Sequence, residues 1–183
     1  MNVEHTVIPG LLVLEPKLFK DDRGYFLESY HDQKYAAIGL DAPFVQDNLS
    51  RSARGTLRGL HYQLPNPQGK LLWVVRGAVF DAVVDLRRQS PTFGRSWWIS
   101  LGESNPKQIY VPPGLAHGFC VTSESADVLY KCTDRYQPSS ERSLLWNDPA
   151  LGIPWPIAEP LLSPKDRLGV PLSAALCFDE GWA

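Results

Sequence analysis

The 183-residue chain has few cysteines, little net charge and no long apolar run, and each shortage excludes a class of protein. Its three cysteines, Cys120, Cys132 and Cys177, are odd in number and lack paired spacing. That fits free thiols in a reducing compartment better than a disulfide framework. No apolar stretch approaches the roughly 20 residues that span a bilayer, and residues 1–9 have neither a basic region nor an apolar core typical of a secretion signal. The sequence therefore predicts a cytoplasmic protein outside the membrane. A formal net charge of -2 supplies no general basic field, so binding to nucleic acid or an anionic membrane is not expected. A local group of arginines could still hold a phosphate.

Long helical patterns are also scarce, whereas aromatics, 14 glycines and 16 prolines are plentiful. Short strands separated by turn residues predict a mostly β sandwich or barrel of one domain spanning residues 1–183. Expected strands cover Leu11 to Glu15, Tyr25 to Tyr30, Phe44 to Ser50, Leu71 to Arg76, Ala78 to Leu86, Ser96 to Leu101, Gln108 to Val111, His117 to Thr122 and Ala126 to Tyr136. Gly77 marks a hairpin or tight corner between two of them, and Asp32 to Ile38 reads as a short helix stopped by Gly39. From Asp148 the composition turns to an extended, proline-rich tail.

The stretch Gly55-Thr56-Leu57-Arg58-Gly59-Leu60-His61-Tyr62-Gln63 sets an arginine and a histidine inside a run that otherwise reads as a strand. Burying such a pair costs several kcal/mol unless it is partnered, so the segment is expected to line a polar cavity. Arg58 and His61 are three residues apart, and a regular strand would send them to opposite faces. If both line one cavity, the strand must bend or bulge near Gly59. Gln46, Asn48 and Ser50 share a face, either a solvated row or a polar pocket wall. Lys70, His117, Tyr130 and the Lys165-Asp166-Arg167 run could carry chemistry, but each has an ordinary reading as a solvated lysine, a turn histidine, a core aromatic or a charged turn.

The Pro-Gly-x-x-His turn ending at His117 resembles metal-binding cupins, but the position expected for a second strand histidine is Gln63. A three-histidine site cannot be assembled, so no metal is expected. A more specific resemblance covers most of the chain, in order from about Gly10 to Asp166. Asp22-Arg23-Gly24-Tyr25-Phe26-Leu27-Glu28, Gln46 to Ser50, Gly55 to Gln63, Gln68 to Leu71, Val111 to Phe119, Leu129-Tyr130-Lys131, Ile153 to Pro156 and Ser163 to Asp166 resemble the dTDP-4-dehydrorhamnose 3,5-epimerase family.

The resemblance implies an all-β, cupin-type double-stranded β-helix, or jelly roll, with a few short helices and an extended C-terminal tail. It implies a cofactor-free isomerase that inverts two carbons of a dTDP-linked 4-keto-6-deoxy sugar in dTDP-L-rhamnose biosynthesis. His61 takes the place of the base with Asp166 as its orienting carboxylate, Lys70 faces the C4 oxygen, and Tyr130 is the acid on the other side. Arg23 and Arg58 match diphosphate-binding positions, while Glu28, Gln46, Asn48, His117, Glu141 and Lys165 match other ligand positions. Phe119 and Tyr136 are stacking candidates for the base. The strand carrying Arg23, Phe26 and Glu28 is, by the same resemblance, lent to the neighbouring site of a homodimer. The rival readings are an epimerase acting at one carbon only, a ketoisomerase, and a non-catalytic sugar-nucleotide binder.

Overall fold

A computed structural model of the chain describes residues 1–179. In chain order its elements are β1 (Asn2–His5), β2 (Leu12–Glu15), β3 (Leu18–Asp21), β4 (Gly24–Leu27), α1 (Asp32–Ala36), β5 (Gln46–Ala53), β6 (Leu57–Gln63), β7 (Lys70–Arg76), β8 (Ala78–Asp85), β9 (Ser96–Gly102), β10 (Gln108–Val111), β11 (Leu115–Val121), β12 (Ser125–Cys132) and β13 (Glu141–Ser143). Among the described residues they form a six-stranded sheet in the order β1-β2-β10-β7-β12-β5, a five-stranded sheet in the order β13-β6-β11-β8-β9, and the β3-β4 ribbon. The two large sheets make the expected jelly roll.

Leu72, Val74, Ile109 and Val128 of the six-stranded sheet pack against Val79, Val83, Leu115 and Phe119 of the five-stranded one, so the core lies between them. Each outer face is also covered. Tyr35 of α1 and Leu40 lie over Leu12, Leu14, Leu71 and Trp73. The proline-rich tail lays Leu151, Ala175, Cys177 and Phe178 over Leu60, Tyr62, Val84 and Ala116. The tail is thus part of the packing, and its last four residues lie outside the described range. All three cysteines are free and buried.

Of the two alternatives at Gly77 the tight corner is the one present: β7 and β8 belong to different sheets rather than to a hydrogen-bonded hairpin, and Gly77 is the corner between them. A Cβ at Gly77 would lie 2.0 Å from the Ser125 carbonyl oxygen, which leaves no room for any other residue. Two other local expectations need correction. The strand expected to run to Tyr136 ends at Cys132, because side chains take over the ladder's bonds: Thr133 Oγ1 accepts from Gly69 N–H at 2.7 Å and Gln46 Oε1 accepts from Tyr136 N–H at 2.8 Å. The strand expected to run to Tyr30 ends at Leu27, since β4 pairs only with the four residues of β3.

The bulge expected near Gly59 is present. His61 pairs with His117 while Arg58 pairs with Phe119, so three residues on β6 span two on β11. Gly59 has φ +125°, and a Cβ on it would stand 2.5 Å from Gly118 Cα and 2.8 Å from the His117 carbonyl oxygen. Gly118 is equally constrained, its Cβ position being 2.6 Å from the Arg58 carbonyl oxygen. The two backbones touch because neither carries a side chain. Gly59→Ala is expected to cost about 3 kcal/mol in urea unfolding, through backbone strain and this clash. Wild-type stability in that variant would contradict the bulge.

Candidate active site

The bulge puts Arg58 and His61 in the same cavity. Two adjoining pockets of about 680 and 940 Å³ open at one end of the sandwich and share His61, Lys70, Tyr130 and Glu141 as walls. The first is extended by Gln46, Asn48, Gln68, Cys132 and Tyr136, the second by Ser50, Arg58, His117, Phe119 and Asp166. His61 and His117 come from β6 and β11 of the five-stranded sheet, whereas Lys70 and Tyr130 come from β7 and β12 of the six-stranded one. The two pairs therefore face each other across the cavity. Gln46, Asn48 and Ser50 alternate inward along β5 and form the polar wall anticipated from their spacing.

His61 Nε2 lies 2.5 Å from Asp166 Oδ1. The tail brings Asp166 there in the 3₁₀ turn Asp166–Leu168, held to the strands where Leu161 bridges Thr56. The carboxylate is fully engaged: Ser163 Oγ donates to Oδ2 at 2.7 Å and Gly59 N–H donates to Oδ1 at 3.3 Å. Burial alone would raise the Asp166 carboxyl, but the bonds from His61 and Ser163 outweigh it and hold the group below the ordinary aspartate range.

Burial prevails on the facing wall. It pushes the Lys70 amine down, only partly offset by Cys132, Glu141 and Asp81, and it raises the Tyr130 phenol, so that phenol stays protonated. Arg58 receives its orientation from β5, its Nε donating to Ser52 Oγ at 3.0 Å. At the mouth, Glu141 on β13 accepts from the Tyr136 hydroxyl at 2.8 Å and from Lys165. Burial pushes Glu141 up, yet these two partners pull it lower than an ordinary glutamate. Tyr136 is half exposed at this mouth, while Phe119 is buried in the core and shows the cavity little of its ring.

Arg23, Phe26 and Glu28 do not reach this cavity. Arg23 projects from the β3-β4 turn with its side chain 90% exposed and pairs with Asp21, Phe26 is 69% exposed, and Glu28 pairs with Lys34 at 2.7 Å. Among the described residues no group of three His, Cys, Asp or Glu side chains has the arrangement of a metal site. No described helix is long and apolar enough to cross a membrane. Sequence reasoning gave no role to Cys132, Ser163 or Asp81, all of which lie in or directly behind the cavity. For Asp81 a signal existed, namely an acidic residue inside the aliphatic run of β8.

Because Asp166 is depressed, its stabilising contribution is complete above the ordinary aspartate pKa of about 3.9 and is lost as pH falls through the lower folded-state value. Asp166→Asn is expected to cost about 2 kcal/mol in denaturant unfolding at pH 7, with the gap to wild type closing below pH ~3.9. A gap that is independent of pH would contradict a charged Asp166.

The dTDP-4-dehydrorhamnose 3,5-epimerase family profile matches residues 5–174. A dTDP-4-dehydrorhamnose 3,5-epimerase of Pseudomonas aeruginosa is 51% identical over 182 residues, covering 97% of this chain and 99% of the relative. A dTDP-4-dehydrorhamnose 3-epimerase of Streptomyces niveus is 41% identical over 177 residues, covering 96% of this chain and 86% of that protein. Among solved structures, the dTDP-6-deoxy-D-glucose-3,5-epimerase of Legionella pneumophila in complex with dTDP-4-keto-L-rhamnose superposes with a TM-score of 0.92 at 48% identity, covering 94% of this chain and 93% of that one. The jelly roll, the cavity between its sheets and the span of these matches place the chain in the dTDP-4-dehydrorhamnose 3,5-epimerase family.

Proposed function

We propose that the chain is a cytoplasmic isomerase that converts dTDP-4-dehydro-6-deoxy-D-glucose to dTDP-4-dehydro-L-rhamnose by inverting C3 and C5. The observation that carries this reading is the placement of an imidazole of one sheet, paired with a carboxylate from the tail, opposite a protonated phenol and a buried amine of the other sheet, across one cavity. The protons at C3 and C5 are acidic because each sits next to the C4 ketone. His61 takes the proton, the C–H electron pair moves onto the C4 oxygen, and the Lys70 ammonium stabilises the enolate. The enolate electrons then take a proton from the Tyr130 hydroxyl on the opposite face, and solvent resets both residues. A base and an acid on facing walls invert a centre, whereas one group acting alone would return the proton to the side it came from.

Arg58 suits the diphosphate, since a guanidinium presents two parallel donors to phosphate oxygens. Tyr136, half exposed at the mouth beside Gln46, Asn48, Glu141 and Lys165, is the better stacking partner for the base than the buried Phe119. Arg23, Phe26 and Glu28 fit a site on a second copy of the chain, because they stand exposed on a projecting ribbon away from their own cavity. In such a homodimer each cavity is completed by its neighbour.

The single-carbon alternative is favoured by one specific observation, the 3-epimerase relative among the matches. Turnover in deuterated water separates the two. The double epimerase is expected to place one deuterium at C3 and one at C5 with both centres inverted, and His61→Asn is expected to lower the rate about 10³-fold. Deuterium at one carbon alone would exclude the double inversion, and none at either would exclude epimerisation. The shared site has its own test: mixing inactive Arg23→Ala and His61→Asn chains should restore about a quarter of the wild-type sites by subunit exchange. No restoration would place Arg23 in its own chain's site.

A further inference from the structure

The cavity contains a second histidine–aspartate pair to which the reaction above gives no role. His61 and His117 are direct cross-strand neighbours, and each presents Nε2 to a buried aspartate: His61 to Asp166, and His117 to Asp81 Oδ2 at 2.9 Å. The two carboxylates live in different surroundings. Asp166 accepts from His61, Ser163 and a backbone N–H. Asp81 is 0% exposed on β8, and its Oδ1 has no hydrogen-bond partner. A buried carboxylate oxygen left unpaired is costly, and a fold retains one where something else compensates it.

Part of the compensation comes from the facing sheet. Burial pushes Asp81 up, opposed first by His117 and then by the Lys70 amine, while burial pushes Lys70 down, opposed by Cys132, Glu141 and Asp81. Asp166, saturated with donors, stays ionised and can stabilise an imidazolium as His61 takes a proton. Asp81 offers a single bonded oxygen, Oδ2, to His117 Nε2, which fixes a proton on that nitrogen and leaves Nδ1 for another partner. His117 Nδ1 makes no hydrogen bond to the described residues and is not among the buried unpartnered atoms, so it opens onto the cavity that the ring lines. Arg58, Lys70 and the Tyr130 hydroxyl present donors to the same space. A sugar hydroxyl there needs an acceptor.

We propose that Asp81 is a positioning residue of this site: it holds His117 as the neutral tautomer protonated on Nε2, turns Nδ1 to the cavity as acceptor for a substrate hydroxyl, and supplies the negative charge facing the Lys70 ammonium. The inference rests on the keto-sugar reading of the cavity. His117 is then no second base, although it mirrors His61 across the strands.

The experiment uses the full chain and the solvent-deuterium assay, with wild type measured first. No exchange in wild type would refute the keto-sugar reading itself. With wild type active, Asp81→Asn is expected to lower kcat about 30-fold, to leave KM within about threefold and dTDP affinity unchanged. It should also move the alkaline limb of kcat to lower pH, because Lys70 loses a negative neighbour. The titratable groups that remain around that amine are Cys132 and Tyr130 on β12, Glu141 on β13, His61 on β6 and His117 on β11. Wild-type kcat with an unmoved alkaline limb would overturn the proposal. On the pH plateau of kcat, Asp81→Asn added to His117→Asn should cost nothing further, because there the aspartate acts through the ring, while the alkaline limb should still move to lower pH through Lys70; plateau losses that multiply would also overturn it. A readout independent of either variant's folding is the ¹⁵N-imidazole spectrum of wild type. His117 should carry its proton on Nε2, and a proton on Nδ1 would overturn the proposal.

Discussion

The contact on which the site depends is the close approach of two glycines, Gly59 on β6 and Gly118 on β11. There the backbones meet at a distance that no side chain survives. The extra residue accommodated at this point changes the parity of β6, so Arg58 and His61, which a regular strand would separate, both serve one cavity. The same glycine gives its N–H to Asp166, the carboxylate that orients His61. One local irregularity therefore sets the direction of the cation, the direction of the imidazole and part of the imidazole's electrostatic support.

The two sheets then divide the chemistry between them. On the five-stranded side, hydrogen bonds outweigh burial and keep Asp166 ionised. On the six-stranded side, burial prevails, holding the Tyr130 phenol protonated and pressing the Lys70 amine down. Environments that drive titratable groups apart are what an acid and a base working at one pH require. The tail is part of this division. By packing over the outer face of the five-stranded sheet it delivers Ser163 and Asp166 to the back of His61, linking a segment that reads as loose to the centre of the site.

Features encoded locally were legible in the sequence. The polar row Gln46, Asn48 and Ser50 followed from strand alternation, the stop at Gly39 from its position, and the bulge from the three-residue spacing of Arg58 and His61 combined with an intervening glycine. Features that depend on a distant partner were not. β13 is three polar residues whose only reason to extend is the exposed edge of β6, and β3 carries charges that mask its pairing with β4. The corner at Gly77 looks like a hairpin turn until the sheet to which each flanking strand belongs is known. Asp81 stood out as an acid in an aliphatic run, but alternation alone does not say whether the other face of a strand meets solvent or a second sheet.

In the proposed function a single cavity, unified by the Gly59 bulge, holds the diphosphate with Arg58 and the sugar ring between His61 and Tyr130. A crystal structure with an unreactive dTDP-hexose tests it directly. The Arg58 guanidinium is expected within hydrogen-bonding distance of a phosphate oxygen while the His61 ring and the Tyr130 hydroxyl lie on opposite faces of the sugar. A hexose bound outside the space between those two side chains, or both groups on one face of the ring, would contradict it.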